Sequence, residues 1–280
     1  MAPPMSADRF LKALRDEGIS VVEVGNWRAH NRNSKGAWGP VHGVMIHHTV
    51  TSGSATSVRI CRDGHSQLPG PLCHGVITKD GRVHLVGYGR TNHAGAGDGD
   101  VLAAVIAERA LPKPDEANTD GNARFYGFEC ENLGDGKDPW PAAQLDAIER
   151  VSAAICRMHG WDAASVIGHL EWQPGKVDPR GFTMSSMRDR IERRLSAPPG
   201  KTPTPSPSSP DKEAPVNAKE LHEAVWKRDA IPAPTTASTY KTNSTWKAES
   251  YFPHLAEQLS RLTDKVDALA KAVAELKKGA

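Results

Sequence analysis

Pro198, Pro199, Pro203, Pro205, Pro207 and Pro210 crowd one short stretch rich in serine and threonine, and no single fold can run through it. Each proline lacks the amide hydrogen that a helix turn or a sheet ladder requires, and the neighbouring side chains have little apolar surface to bury. Residues 196–215 therefore read as a semi-rigid spacer of extended geometry. The spacer divides the chain into a unit of 1–195, long enough to build its own core, and a tail of 216–280.

Within the first unit, the apolar run Gly43 to His48 reads as a short buried strand. Cys73 to Thr78 and Arg82 to Gly87 read as a hairpin turned by Lys79-Asp80-Gly81, and Arg124 to Glu131 as a further strand. Leu145, Ile148, Val151, Ile155 and Met158 recur at helical spacing after Pro141, a residue suited to a first helical turn. Phe10, Leu11 and Leu14 repeat the helical spacing near the start of the chain. Strands alternating with helices predict an α/β sheet domain.

The tail carries a different pattern. Phe252, Leu255, Leu259, Leu262, Val266, Leu269, Val273 and Leu276 follow one another in steps of three and four, flanked by Glu257, Arg261, Lys265, Asp267 and Glu275. That is the seam of a coiled coil, expected over about 252–278. A lone helix would leave the seam wet, so the expectation is a homo-oligomer, with packing back onto the region of Trp226 as the rival arrangement.

Charge and cysteine usage exclude several classes of function. A formal net charge of +2 gives no clustered cationic face to argue for nucleic acid. Cys61, Cys73, Cys130 and Cys156 form no C-x-x-C pair, so neither a structural zinc knuckle nor a disulfide framework is indicated, and reduced thiols fit. Residues 1–20 contain no apolar signal core, and no stretch is apolar enough to span a membrane. The expectation is a chain without signal peptide, transmembrane segment, membrane insertion or nucleic-acid partner.

Chemistry concentrates in Gly168-His169-Leu170-Glu171-Trp172-Gln173-Pro174-Gly175-Lys176-Val177-Asp178-Pro179, which offers an imidazole, a carboxylate and an ammonium within a dozen residues. A catalytic zinc takes three protein ligands and keeps a fourth position for water. A further imidazole is available at His47, at the end of the Gly43 to His48 strand, where side chains reach the rim of a sheet. His48 falls on the opposite face by alternation and is expected to pack or hydrogen-bond. Glu129 and Glu131 share a strand face, so periodicity does not separate a catalytic carboxylate from an ion-paired one. Trp172 and Trp38 are candidates to stack on a ligand, although tryptophans equally fill cores.

Five blocks then occur in a telling order: Val44-Met45-Ile46-His47-His48-Thr49, Cys73-His74-Gly75-Val76-Ile77 with Asp80-Gly81, Asn92-His93-Ala94-Gly95, Tyr126-Gly127-Phe128-Glu129-Cys130-Glu131, and His169 to Pro179. Together they resemble the zinc-dependent N-acetylmuramoyl-L-alanine amidases, a family shared by phage endolysins, cytosolic anhydro-muropeptide amidases and peptidoglycan recognition proteins. The resemblance covers about 38–195 and none of the tail. It implies a mixed central β-sheet flanked by helices, one catalytic zinc ion on His47, His169 and Asp178, and bacterial peptidoglycan as substrate. Many relatives have cysteine as the last ligand; the cytosolic branch has aspartate, as here. The resemblance further implies Glu129 as general base and Lys176 as electrostatic stabiliser, with His74, His93 and Trp172 as weaker substrate-contact candidates. A catalytic domain, a Pro-rich linker and a coiled-coil tail for wall binding or oligomerisation resemble a phage endolysin. Such an enzyme waits in the host bacterial cytoplasm until it is released to the cell wall. A non-catalytic peptidoglycan-binding protein and a muropeptide-recycling amidase are the alternatives.

Overall fold

The structure, a computed structural model, describes residues 2–201, 231–232, 245–246 and 248–278. Ser6 opens the first helix, α1 (Ala7–Asp16), its hydroxyl accepting from the Arg9 N–H at 3.3 Å, and the helical spacing buries Phe10, Leu11 and Leu14 on one face. Strand β1 (Val21–Glu23) follows, then β2 (Gly43–His48), buried at every position as its unbroken apolar run requires. After α2 (Ser54–Asp63) come β3 (Gly75–Ile77) and β4 (Val83–Leu85), the expected hairpin with shorter strands. Helix α3 (Gly99–Ile106) leads to β5 (Phe125–Cys130), and α4 (Ala142–His159) starts directly after Pro141. Strand β6 (Val166–Gly168), the single turn α5 (His169–Trp172) and α6 (Met184–Leu195) complete the unit.

The six strands form one mixed sheet in the order β1-β4-β3-β5-β2-β6, antiparallel only between β3 and β4. Helices cover both faces. On one, Phe10 and Leu14 of α1, Ile148, Val151 and Ile155 of α4 and Ile191 of α6 pack on Val44, Ile46, Tyr126 and Phe128. Phe10 lies at the middle of this layer, stacked on Tyr126 at 5.7 Å between ring centroids and tilted against Trp27, Tyr88 and Phe128. The core thus reaches upstream of Trp38, where the resemblance begins. On the other face, Val101 and Val105 of α3 and Trp172 of α5 pack on Met45, Phe125 and Ile167. Alternation along β2 and β5 assigns odd-numbered side chains to this second face.

The chain divides into two compact units, Met1–Ser206 and Pro207–Ala280. Residues 202–215 of the expected spacer, and most of 216–247, lie outside the described residues. In the second unit the long helix α7 (Ala248–Lys278) leaves Leu255, Leu259, Leu262, Val266 and Leu269 exposed along its length. No described helix is long and apolar enough to cross a membrane.

Candidate metal centre and groove

Strand register brings the first two functional side chains together. His47 and Glu129 are opposite one another on β2 and β5, both on the second face. His169 arrives because β6 runs parallel to β2 with Gly168 beside Ile46, so the chain turns into α5 at the end of the same strand. A Cβ on Gly168 would stand 2.8 Å from Pro179 Cδ and 3.0 Å from Met184 Cγ, so a glycine is needed for the 178–179 segment to close on the turn. The Leu170 N–H then donates to the Asp178 carbonyl at 2.7 Å. Glu171 fixes α5 from outside, accepting from the Gly168 N–H at 3.1 Å and from both terminal nitrogens of Arg188 at 2.8 Å.

The outcome is a triangle of donors. His47 Nδ1 lies 3.0 Å from His169 Nδ1 and 3.0 Å from Asp178 Oδ2, and His169 Nδ1 lies 3.1 Å from Asp178 Oδ2. Zinc bonds of about 2.0–2.2 Å at tetrahedral angles separate ligand atoms by roughly 3.3–3.6 Å. The donors stand slightly closer than that, so two imidazoles and a carboxylate would hold one small divalent cation after spreading by a few tenths of an ångström. Burial pushes His47 down to about 4, against the pull of Asp178, which keeps its ring neutral and a lone pair available at pH 7. Burial acts the other way on Asp178, yet hydrogen bonds from His169 and His47 hold its carboxyl well below the usual carboxylate range.

Glu129 stands beside this triangle, and its Oε2 is buried with no hydrogen-bond partner. Burial, assisted by the Asp178 charge and opposed by the Lys176 ammonium, pushes its carboxyl up to about 8. Lys176 is exposed. His47, Glu129, His169, Lys176 and Asp178 all line one groove of about 610 Å³. The arrangement offers a group of donors that could hold a cation, a carboxyl able to hold or release a proton near neutrality, and an exposed positive charge at a single open cleft.

Of the three residues expected to contact substrate, Trp172 and His74 do not line the groove and His93 does. Trp172 is fully buried in the second-face core, edge-on to Phe125 at 5.2 Å, and an added Cβ on Gly97 or Gly121 would fall within 2.7 Å of its ring. It is a core residue, because the apolar contacts of a large aromatic outweigh any single polar contact it would make in the groove. His74 is fully buried too: its Nε2 lies 2.9 Å from the Gly89 carbonyl, and its Nδ1 accepts from the Gly127 N–H at 2.9 Å, so both ring nitrogens are used by the backbone. His93 does line the groove but turns Nδ1 toward His47 Nε2 at 3.1 Å. His48 accepts at Nδ1 from the Arg180 N–H at 3.2 Å, in keeping with its expected structural place.

The structure also separates the two glutamates of the strand block. Glu131 accepts from the Gly53 N–H at 2.8 Å, the Ser54 hydroxyl at 2.6 Å and the Lys79 N–H at 3.2 Å, tying the loop before α2 to the hairpin. Sequence reasoning missed Asn122, whose Oδ1 accepts from the backbone N–H groups of His93, Ala94 and Gly95 at 2.9, 2.8 and 3.3 Å. A lone asparagine in a loop gives no local signal for such a role.

Residues 37–181, more than half of the chain, match the sequence profile of a family described as N-acetylmuramoyl-L-alanine amidase. No curated protein sequence matches the chain. Among solved structures it is similar to the endolysin amidase LysCS from Clostridium intestinale URNW, at 18% identity over 61% of this chain and 94% of that one, with a TM-score of 0.41. A mutant endolysin from Bacillus subtilis is similar at 17% identity, over 62% and 99% of the two chains, with a TM-score of 0.42. AmiD from E. coli, solved with a substrate of anhydro-N-acetylmuramic acid and a short peptide, is similar at 18% identity, over 57% and 60%, with a TM-score of 0.41.

Proposed function

The chain belongs to the N-acetylmuramoyl-L-alanine amidase family, and from that premise we propose that it hydrolyses the amide bond between N-acetylmuramic acid and L-alanine in bacterial peptidoglycan, using one zinc ion held by His47, His169 and Asp178. The observation that carries this reading is the convergence of those three donors at 3.0–3.1 Å beside an unpartnered Glu129 carboxylate oxygen.

When bound, the zinc supplies a Lewis acid and acidifies water toward neutrality. The protein's own groups do the rest. Glu129 Oε2 takes the proton of the attacking water as the new C–O bond forms and passes it to the alanine nitrogen as the C–N bond breaks. The Lys176 ammonium faces the developing oxyanion, a contribution of about 3 kcal/mol for one well-placed donor. The products are the lactyl carboxylate of the muramic acid and a free L-alanine amine. The rim of the groove supports a peptide substrate bearing methyl groups: Val50, Leu68 and Val177 line it and are among the few large aliphatic side chains the first unit leaves exposed.

The second unit extends the proposal. Residues 196–215 act as a spacer, and the exposed Leu255, Leu259, Leu262, Val266 and Leu269 seam of α7 joins copies of the chain into a homo-oligomer or tethers it to the wall. A catalytic unit combined with such a tail supports a lytic role of the endolysin kind over muropeptide recycling.

Mass analysis of digested peptidoglycan tests the reaction, the expected outcome being new free L-alanine amines and no cleaved glycosidic bonds. His169→Ala should lose both bound zinc and lysis with the fold retained; lysis without metal would sink the assignment.

A further inference from the structure

His47 has two ring nitrogens, and the metal reading uses only one of them. Nδ1 belongs to the donor triangle; Nε2 faces His93 Nδ1 at 3.1 Å, the two rings edge-on with centroids 5.3 Å apart. A neutral imidazole carries a single N–H. If Nδ1 gives its lone pair to a cation, the hydrogen sits on Nε2 and needs an acceptor inside a buried site. The competing tautomer carries the hydrogen on Nδ1, where Asp178 Oδ2 at 3.0 Å accepts it and the donor triangle is closed to a cation.

His93 is held where it can decide between the two. Asn122 Oδ1 gathers three successive N–H groups of the His93 loop, which fixes the backbone beneath the ring. The ring rests on Gly127, where any Cβ would stand 2.3 Å from Nδ1, so the strand supplies a floor that only glycine provides. With 7% of its surface exposed, His93 has little freedom to turn toward a substrate; with Nδ1 as the acceptor its own hydrogen sits on Nε2, which is buried without a protein partner.

We propose that His93 is a positioning residue for the metal centre: its Nδ1 accepts the Nε2 hydrogen of His47 and thereby holds His47 in the tautomer and orientation that leave Nδ1 free for a cation. The proposal rests on the metal-binding reading above. Partners of this kind behind a metal-bound histidine set ligand orientation and basicity, and losing one typically weakens metal affinity by roughly 10- to 100-fold.

The test is zinc affinity of the full chain, measured by chelator competition on the wild type, His93→Phe and His93→Asn, with the absorption spectrum of the cobalt-substituted proteins as a second reading of ligand geometry. Phenylalanine keeps the ring volume and removes the acceptor; asparagine puts an amide oxygen near the place of Nδ1. The expected result is zinc affinity reduced roughly 10- to 100-fold and an altered cobalt spectrum in His93→Phe, with recovery to within about threefold in His93→Asn. Wild-type affinity in His93→Phe, or equal weakening in both variants, overturns the proposal. Should His93→Phe fail to fold, nitrogen NMR of the zinc-loaded wild type decides: a coupling across the His47 Nε2 to His93 Nδ1 hydrogen bond is expected, and its absence overturns the proposal. A wild-type protein that binds no zinc contradicts the metal reading instead.

Discussion

At the scale of single residues, the site works by giving chemically similar groups different surroundings. Glu129 and Glu131 lie two positions apart on one strand face, yet only Glu129 keeps a buried, unpartnered oxygen. Glu129→Gln is accordingly expected to retain zinc while turnover falls 10²- to 10⁴-fold, and Lys176→Met to lower turnover by about 10²-fold; metal analysis with steady-state kinetics checks both. His74 shows the opposite use of a titratable group. Burial pushes it down to about 4 from its ordinary 6.5, while the bond to the Gly89 carbonyl opposes the shift. Because the folded value is the depressed one, its contribution to stability is complete above about 6.5 and is lost as the pH falls through about 4. The size of that loss is up to about 3 kcal/mol. Urea unfolding between pH 7 and pH 4 should show a shallower loss in His74→Gln than in the wild type.

At the scale of elements, the face that carries the groove depends on packing beneath it. The first-face core holds β2 and β5 in register, and Phe10 from α1 joins it through contacts to four other aromatic rings. Phe10→Ala is expected to cost about 3–5 kcal/mol in unfolding free energy, measured by denaturant titration, although α1 supplies no group to the groove. The turn into α5 is the second such element. Glu171 is clasped by Arg188, and the Leu170 to Asp178 backbone bond spans the loop between two donors, so the spacing of His169 and Asp178 is set by backbone geometry as much as by the cation they would share.

At the scale of the molecule, the roles proposed for the two units predict different outcomes. A chain shortened after Ser206 should cleave soluble muropeptides within about twofold of the full chain but lose on the order of 10²-fold on intact walls, since avidity and tethering act only on an extended substrate. Cell-wall turbidity beside a soluble-substrate assay separates the two. Leu262→Lys in the full chain should lower the sedimenting mass if α7 pairs with itself; an unchanged mass would remove the seam from assembly.

The sequence by itself determined what depends on neighbours along the chain. Alternation in β2 separated His47 from His48, helical spacing located α1, α4 and α7, and the His169 to Pro179 segment carried its donors in a dozen residues. Tertiary structure decided what depends on closure over long loops. His47 meets His169 and Asp178 across 122 and 131 residues, a convergence that local periodicity does not encode. It also decided what surrounds the remaining candidates. Trp172 went into the core because α3 and β5 close over it, His74 was consumed by backbone groups, and His93 was turned by Asn122 and Gly127 toward His47. Each of those outcomes is a competition for space and hydrogen bonds among distant segments, and it is settled only when they pack.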